Sequence, residues 1–92
     1  MKRFKNEETE KLWKGLPVRK LDKDVRKQAY RRLQMLIAAT EIADLKVPPS
    51  NNLESLSGDR KGKYSIRVNR QYRLCFIWTD EGAFDIEFVD YH

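Results

Sequence analysis

The chain reads as an α+β domain, two N-terminal helices packed on one face of a small antiparallel β-sheet. Two observations predict it. Apolar residues recur every three or four positions between 25 and 40, and from Tyr64 onward the period changes to two. Short polar connections separate the alternating runs, as in a meander, and helices that precede such a meander cover one of its faces. With 92 residues there is room for one domain, spanning 1–92.

Residues 2–4 read as a short edge strand. Glu7 to Trp13 follows as a first helix, with acidic residues in its first turn and Lys11 and Lys14 toward its end, as the helix dipole prefers. Gly15 stops it and Leu16-Pro17 turns the chain. Asp22 is placed as the N-cap of the main helix, 22 to about 39. Val25, Ala29, Leu33, Leu36 and Thr40 form its apolar stripe, and Tyr30 and Ile37 widen it. Arg26, Lys27, Arg31 and Arg32 fall mostly opposite. Residues 40–45 read as a further helical turn ended by Pro48-Pro49.

Leu53-Glu54-Ser55-Leu56 reads as a short strand and Ser57-Gly58-Asp59-Arg60 as a turn. In Tyr64-Ser65-Ile66-Arg67-Val68, Ile66 and Val68 point inward while Ser65 and Arg67 point outward. Asn69-Arg70-Gln71 closes a hairpin. In the next strand Tyr72, Leu74, Phe76 and Trp78 share one face, leaving Arg73, Cys75 and Ile77 on the other. After Asp80-Glu81-Gly82, Phe84, Ile86 and Phe88 alternate against Asp85 and Glu87.

Composition narrows the functional classes. The chain is 40% hydrophobic and 11% aromatic, enough for a core. Its net charge of +5 favours an acidic partner such as nucleic acid, the ribosome or an acidic protein segment. One cysteine, Cys75, allows no intrachain disulfide, and with one histidine it makes no structural zinc site, so no metal or other cofactor is expected. Cys75 itself reads as a small buried hydrophobe. Met1-Lys2-Arg3-Phe4 leads into charged residues rather than an apolar signal segment, and no run is long enough to span a membrane. A cytoplasmic location without membrane contact is expected.

The chemistry-bearing residues gather at the sheet. Arg67 and Arg73 are placed on the face left open by the helices, near the hairpin end. The basic loop 59–63, with Arg60, Lys61 and Lys63, leads into them, and Arg70 lies in the hairpin. The last strand delivers Asp90, Tyr91 and His92. RNA cleavage without a metal needs a base for the 2′-hydroxyl, an acid for the 5′-oxygen, and cations for the phosphorane. Arginine suits the last task because its planar fork binds phosphate oxygens in pairs. His92, the single histidine, titrates near neutrality as an acid or base should. Tyr91 suits stacking or a phosphate hydrogen bond. A solvated, frayed chain end is the other reading of His92.

The segment Leu53-Glu54-Ser55-Leu56-Ser57-Gly58-Asp59-Arg60, the hairpin with Ser65-Ile66-Arg67-Val68 and Tyr72-Arg73-Leu74, the run 36–45 and the terminal Asp90-Tyr91-His92 resemble the HigB branch of the RelE/ParE toxin superfamily. The resemblance covers nearly the whole chain. It implies a RelE-like fold and the toxin of a type II toxin–antitoxin pair, an endoribonuclease that cuts messenger RNA on the ribosome. It also implies a HigA-type helix-turn-helix antitoxin, with operator DNA bound only through the toxin–antitoxin complex. By position, Arg73 would bind the scissile phosphate, and Asp90, Tyr91 and His92 would transfer and orient protons. Some members of the branch carry a histidine and then a lysine before the glycine, where this chain has Glu54 and Ser57, so Glu54 takes the place of a base. The second basic residue near the hairpin falls at Asn69, which leaves that task to Arg67 or Arg70. The competing readings are a ParE-like gyrase inhibitor and a basic adaptor that contacts phosphates without cutting them.

Overall fold

A computed structural model describes residues 1–56 and 62–90. The expected turn at 57–60, and with it Arg60, Lys61, Tyr91 and His92, lies outside the described residues. Helix α1 spans Glu7–Trp13 and α2 spans Lys23–Ala38; both lie on one face of a four-stranded antiparallel sheet. The strands are β1 (Glu54–Ser55), β2 (Lys63–Arg67), β3 (Tyr72–Thr79) and β4 (Gly82–Asp90), paired in sequence order. The expected α+β arrangement is what the chain adopts.

Local chemistry sets the helix ends. The Asn6 side chain accepts the Thr9 amide at 2.9 Å, and Asp22 accepts the Val25 amide at 2.9 Å, each satisfying a donor that the first helical turn leaves open. At the end of α1, Gly15 takes φ +74°. This lets the Leu16 amide reach the Lys11 carbonyl at 2.9 Å and its own amide reach Leu12 at 3.2 Å, a glycine-dependent closure of the last turn. The extra helical turn expected at 40–45 is a 3₁₀ turn, Ile42–Lys46, followed by a second at Pro49–Asn51. The Asp44 carboxylate accepts from the Glu41 and Thr40 amides, both at 3.1 Å, and from the Thr40 hydroxyl at 3.2 Å. These bonds, the Glu41 amide foremost, hold its carboxyl below its usual range.

The core lies between helices and sheet. Leu12, Ala29, Leu33 and Leu36 meet Ile66, Leu74, Phe76, Ala83, Ile86 and Phe88. Each such fully buried Leu, Ile or Phe contributes about 1.5–3 kcal/mol. Thr9 is also fully buried, and its hydroxyl accepts the Phe88 amide at 3.0 Å, which ties α1 to β4. Tyr30 departs from the expected stripe. It is 40% exposed, because it lies at the margin of the buried face, beside Gly15 rather than over the sheet.

The last strand also departs from simple alternation. Ile77 pairs with Phe84 while Cys75 pairs with Glu87, so one residue is extra on β4 and the ladder bulges. Asp85 occupies the bulge at φ +53°, a conformation that Asp tolerates better than most residues. The bulge reverses the face of what precedes it. Ala83, opposite Trp78, belongs with Ile86 and Phe88 in the core, while Phe84 sits on the opposite face under the Arg3 guanidinium, 4.8 Å from the ring centre. Residues 2–5 run beside the bulge: the Asp85 and Ile86 amides donate to the Lys2 and Arg3 carbonyls, and Phe4 forms a parallel bridge to Ile86. The expected edge strand at 2–4 is thus a single bridge. Among the described residues no helix is long and apolar enough to cross a membrane.

Candidate active site

Strand register arranges the sheet face away from the helices in rows. Directly paired residues share a face, so Glu54, Ser65, Cys75 and Glu87 form one row across all four strands. Arg67, Arg73 and Val89 form the row on one side, and Lys63, Ile77 and Phe84 the row on the other. Glu54 and Glu87, three strand spacings apart, stand about 14 Å from each other along this row.

Arg73 is the most constrained of these side chains. It was expected to stand open on this face, yet it is 6% exposed. Its Nε donates to the Ser65 hydroxyl at 2.9 Å, and its Nη2 donates to the Asn52 carbonyl at 2.7 Å and the Ser65 carbonyl at 3.3 Å. Ser65, expected outward, is fully buried. The Asn52 carbonyl, from the irregular segment before β1, meets the Arg73 guanidinium here, and the guanidinium in turn meets Ser65, where periodicity alone would leave solvent. Arg67 faces Arg73 across the ladder but turns away, donating its Nε to the Asn69 carbonyl at 3.1 Å. Two like charges in direct register are thereby held by different acceptors, which limits their repulsion.

Beside Arg73 a cleft of about 270 Å³ opens, lined by Lys5, Leu56, Lys63, Cys75, Glu87, Val89 and Asp90. Lys5 and Glu87 form an ion pair at 3.5 Å within it. Of the residues expected in the site, Lys63 and Asp90 reach this cleft. Asp90 lies opposite Tyr72 at the strand end and accepts a hydrogen bond from Gln71 Nε2 at 3.2 Å. Arg73 flanks the cleft through its neighbours Cys75 and Val89. Glu54 shares the central row at its far end from Glu87, and its carboxylate accepts from Asn52 Nδ2 at 3.4 Å. Arg67 and Arg70 are exposed at the hairpin end. Cys75 is not the core residue expected: it is partly exposed and lines the cleft. Among the described residues no three His, Cys, Asp or Glu side chains are grouped as metal ligands.

Sequence reasoning missed four contributors. Glu87 and Lys5 carry the pattern of solvated charges, although the parity of Glu87 on β4 already puts it on the face of Cys75. Ser65 and Asn52 carry no signal, since a serine in a strand and an asparagine in a loop are ordinary.

Comparison with known proteins decides the family. The family described as RelE-like toxin of type II toxin–antitoxin system HigB matches residues 2–92. The chain belongs to the HigB-like toxin family. Toxin HigB-1 of Vibrio cholerae serotype O1 is 48% identical over 63 residues, 68% of this chain and 65% of that one. An uncharacterized protein of Haemophilus influenzae is 44% identical over 61 residues, 66% of this chain and 60% of that one. Endoribonuclease HigB of Proteus vulgaris is 33% identical over 78 residues, 85% of this chain and 78% of that one. The match thus spans less than two thirds of the Vibrio and Haemophilus relatives, at 65% and 60%, and more of the Proteus one. The HigB resemblance read from the hairpin and the final strand is borne out at the level of the family.

Proposed function

We propose that this HigB-like chain is the toxin of a type II toxin–antitoxin pair and an endoribonuclease that cuts messenger RNA on the ribosome, inhibiting translation and growth. The observation that carries the reading is an arginine held in a fixed plane on the sheet face, beside a cleft bordered by Lys63, Glu87 and Asp90. The printed name of the Proteus relative supports it. Arg73 stabilises the phosphorane, and Lys63, Arg67 and Arg70, with Arg60 and Lys61, hold the RNA backbone. His92 and Tyr91, with Asp90, move and orient protons between the 2′-hydroxyl and the 5′-oxygen. Glu54 serves as the second carboxylate base. The charge of +5 suits a phosphate-rich partner. The partner in regulation is a HigA-type helix-turn-helix antitoxin, through which alone operator DNA is bound, and the site of action is the cytoplasm.

The test is purified protein added to ribosomes programmed with a defined message, with products mapped by primer extension. Cuts are expected in ribosome-bound message, absent in free message, and lost in folded His92→Gln and Arg73→Gln variants. Absence of cutting by the wild-type protein under both conditions refutes the nuclease reading. Inhibition of gyrase supercoiling by the same preparation would move the assignment to the ParE-like alternative.

A further inference from the structure

The hydrogen bonds around Arg73 form a continuous line from α2 to the sheet face. Asn51 is fully buried, and its Nδ2 donates to the Leu45 carbonyl at 3.1 Å, the Val47 carbonyl at 3.4 Å and the Met35 sulfur at 3.0 Å. Its Oδ1 accepts from Arg32 of α2. A buried side-chain amide satisfied this fully pins the 3₁₀ turn Pro49–Asn51 against the helix. The next residue, Asn52, is left-handed at φ 46°, ψ 56°, and its carbonyl is the acceptor 2.7 Å from Arg73 Nη2. Ser65 closes the other side, its hydroxyl at 2.9 Å from Nε and its carbonyl at 3.3 Å from Nη2. The acceptors therefore lie on two different sides of one guanidinium, so neither its roll about Cδ–Nε nor its tilt is free. The exposed Arg67, by contrast, makes one such bond among the described residues, to its own hairpin.

We infer that Ser65 and the Asn52 carbonyl are positioning groups that set the plane of the Arg73 guanidinium, with Asn51 holding that carbonyl in place from α2. The inference rests on the reading that Arg73 meets the scissile phosphate. All the N–H directions of a guanidinium lie in its plane, so the plane held by Ser65 and the Asn52 carbonyl sets where Arg73 can meet a phosphate oxygen. A charge-carrying arginine with a free plane would bind phosphate as a lysine does, without that constraint. Ser65 thus acts on the chemical step only through Arg73.

The test is single-turnover cleavage of ribosome-bound message at saturating toxin, in a cycle of Ser65→Ala, Arg73→Lys and the double variant, with thermal denaturation confirming that each is folded. Ser65→Ala is expected to slow the chemical step about ten- to a hundredfold while leaving the half-saturating toxin concentration unchanged. Ser65→Thr, which keeps the hydroxyl, is expected to recover most of that loss. In the Arg73→Lys background, which has no Nε–H, Ser65→Ala is expected to have no further effect. A wild-type rate in Ser65→Ala overturns the inference, as does an equal loss from Ser65→Ala in the wild-type and Arg73→Lys backgrounds. If Arg73→Lys is too slow to measure, recovery by Ser65→Thr decides: recovery upholds the inference and its absence overturns it. A wild-type rate in Arg73→Ala would instead overturn the phosphate-binding reading itself, a distinct result.

Discussion

Replacing Thr9 by Val removes one buried oxygen and nearly nothing else. Thr9 is fully buried in α1, its hydroxyl donates to Asn6 Oδ1 at 2.7 Å, and it accepts the Phe88 amide at 3.0 Å. Val keeps the volume and the β-branched shape, so no cavity opens. Asn6 still caps the helix through the Thr9 amide. The Phe88 N–H, however, is left inside the protein without its acceptor, at a cost of about 1–3 kcal/mol. For a domain of this size each kcal/mol lowers Tm by roughly 4–8 °C, so a mid-range loss of about 2 kcal/mol corresponds to roughly 8–16 °C. The assay is thermal and urea denaturation of Thr9→Val beside the wild type, with amide exchange at Phe88. The urea midpoint should fall with an unchanged slope, and the Phe88 amide should lose protection. Thr9→Val as stable as the wild type, with Phe88 still protected, would refute the claim that this hydroxyl anchors β4.

Other perturbations follow the same logic. Arg73→Ala should lower stability by about 1–3 kcal/mol, because it leaves the buried Ser65 hydroxyl and the Asn52 carbonyl without their donor; an unchanged denaturation midpoint would show that the side chain is not held there. Asp44, whose folded carboxyl is held below its usual range, contributes stability that is present above the ordinary carboxylate range and lost as pH falls through the folded value. Asp44→Asn should remove that acid-side slope, read by denaturation midpoints across pH, and a slope identical to wild type would contradict the account. Affinity for single-stranded RNA on the ribosome should fall with salt at roughly −0.7 per phosphate neutralised in a log–log plot. Reversing the charge of Lys63 and Arg67 together should flatten that plot, and an unchanged slope would place the RNA elsewhere.

The helices were legible because their signals are local. Asn6 was not singled out, but Asp22, Gly15 and the stripe Ala29, Leu33, Leu36 specify start, stop and buried face without reference to the rest of the chain. The hairpin of β2 and β3 was legible for the same reason. The bulge at Asp85 was not, because the polar residues on either side of Ile86 fit a regular strand equally well, and the bulge amides are bonded by the main chain of residues 2–5, far away in sequence. The site was half legible. Arg73 follows from strand parity, Lys63 from the basic loop and Asp90 from the end of the last strand, where its pairing with Tyr72 gives it the parity of the helix-facing residues. The contact of the Asn52 carbonyl with Arg73 has no such signal, since it arises only when the 3₁₀ turn is pinned to α2. An open face was expected because periodicity describes regular strands and says nothing about a loop that meets them.

The central claim is that the chain cuts RNA by attack of a 2′-hydroxyl, with Arg73 and His92 supporting the transfer. The most direct measurement is the chemistry of the cut ends on ribosome-bound message, together with a message carrying one 2′-deoxynucleotide at the scissile position. Internal attack leaves a 2′,3′-cyclic phosphate upstream and a 5′-hydroxyl downstream, and it cannot occur without the 2′-hydroxyl. The account predicts those ends and no cut in the deoxy-substituted message. A 5′-phosphate downstream, or cutting of the deoxy-substituted message at the usual rate, would contradict it.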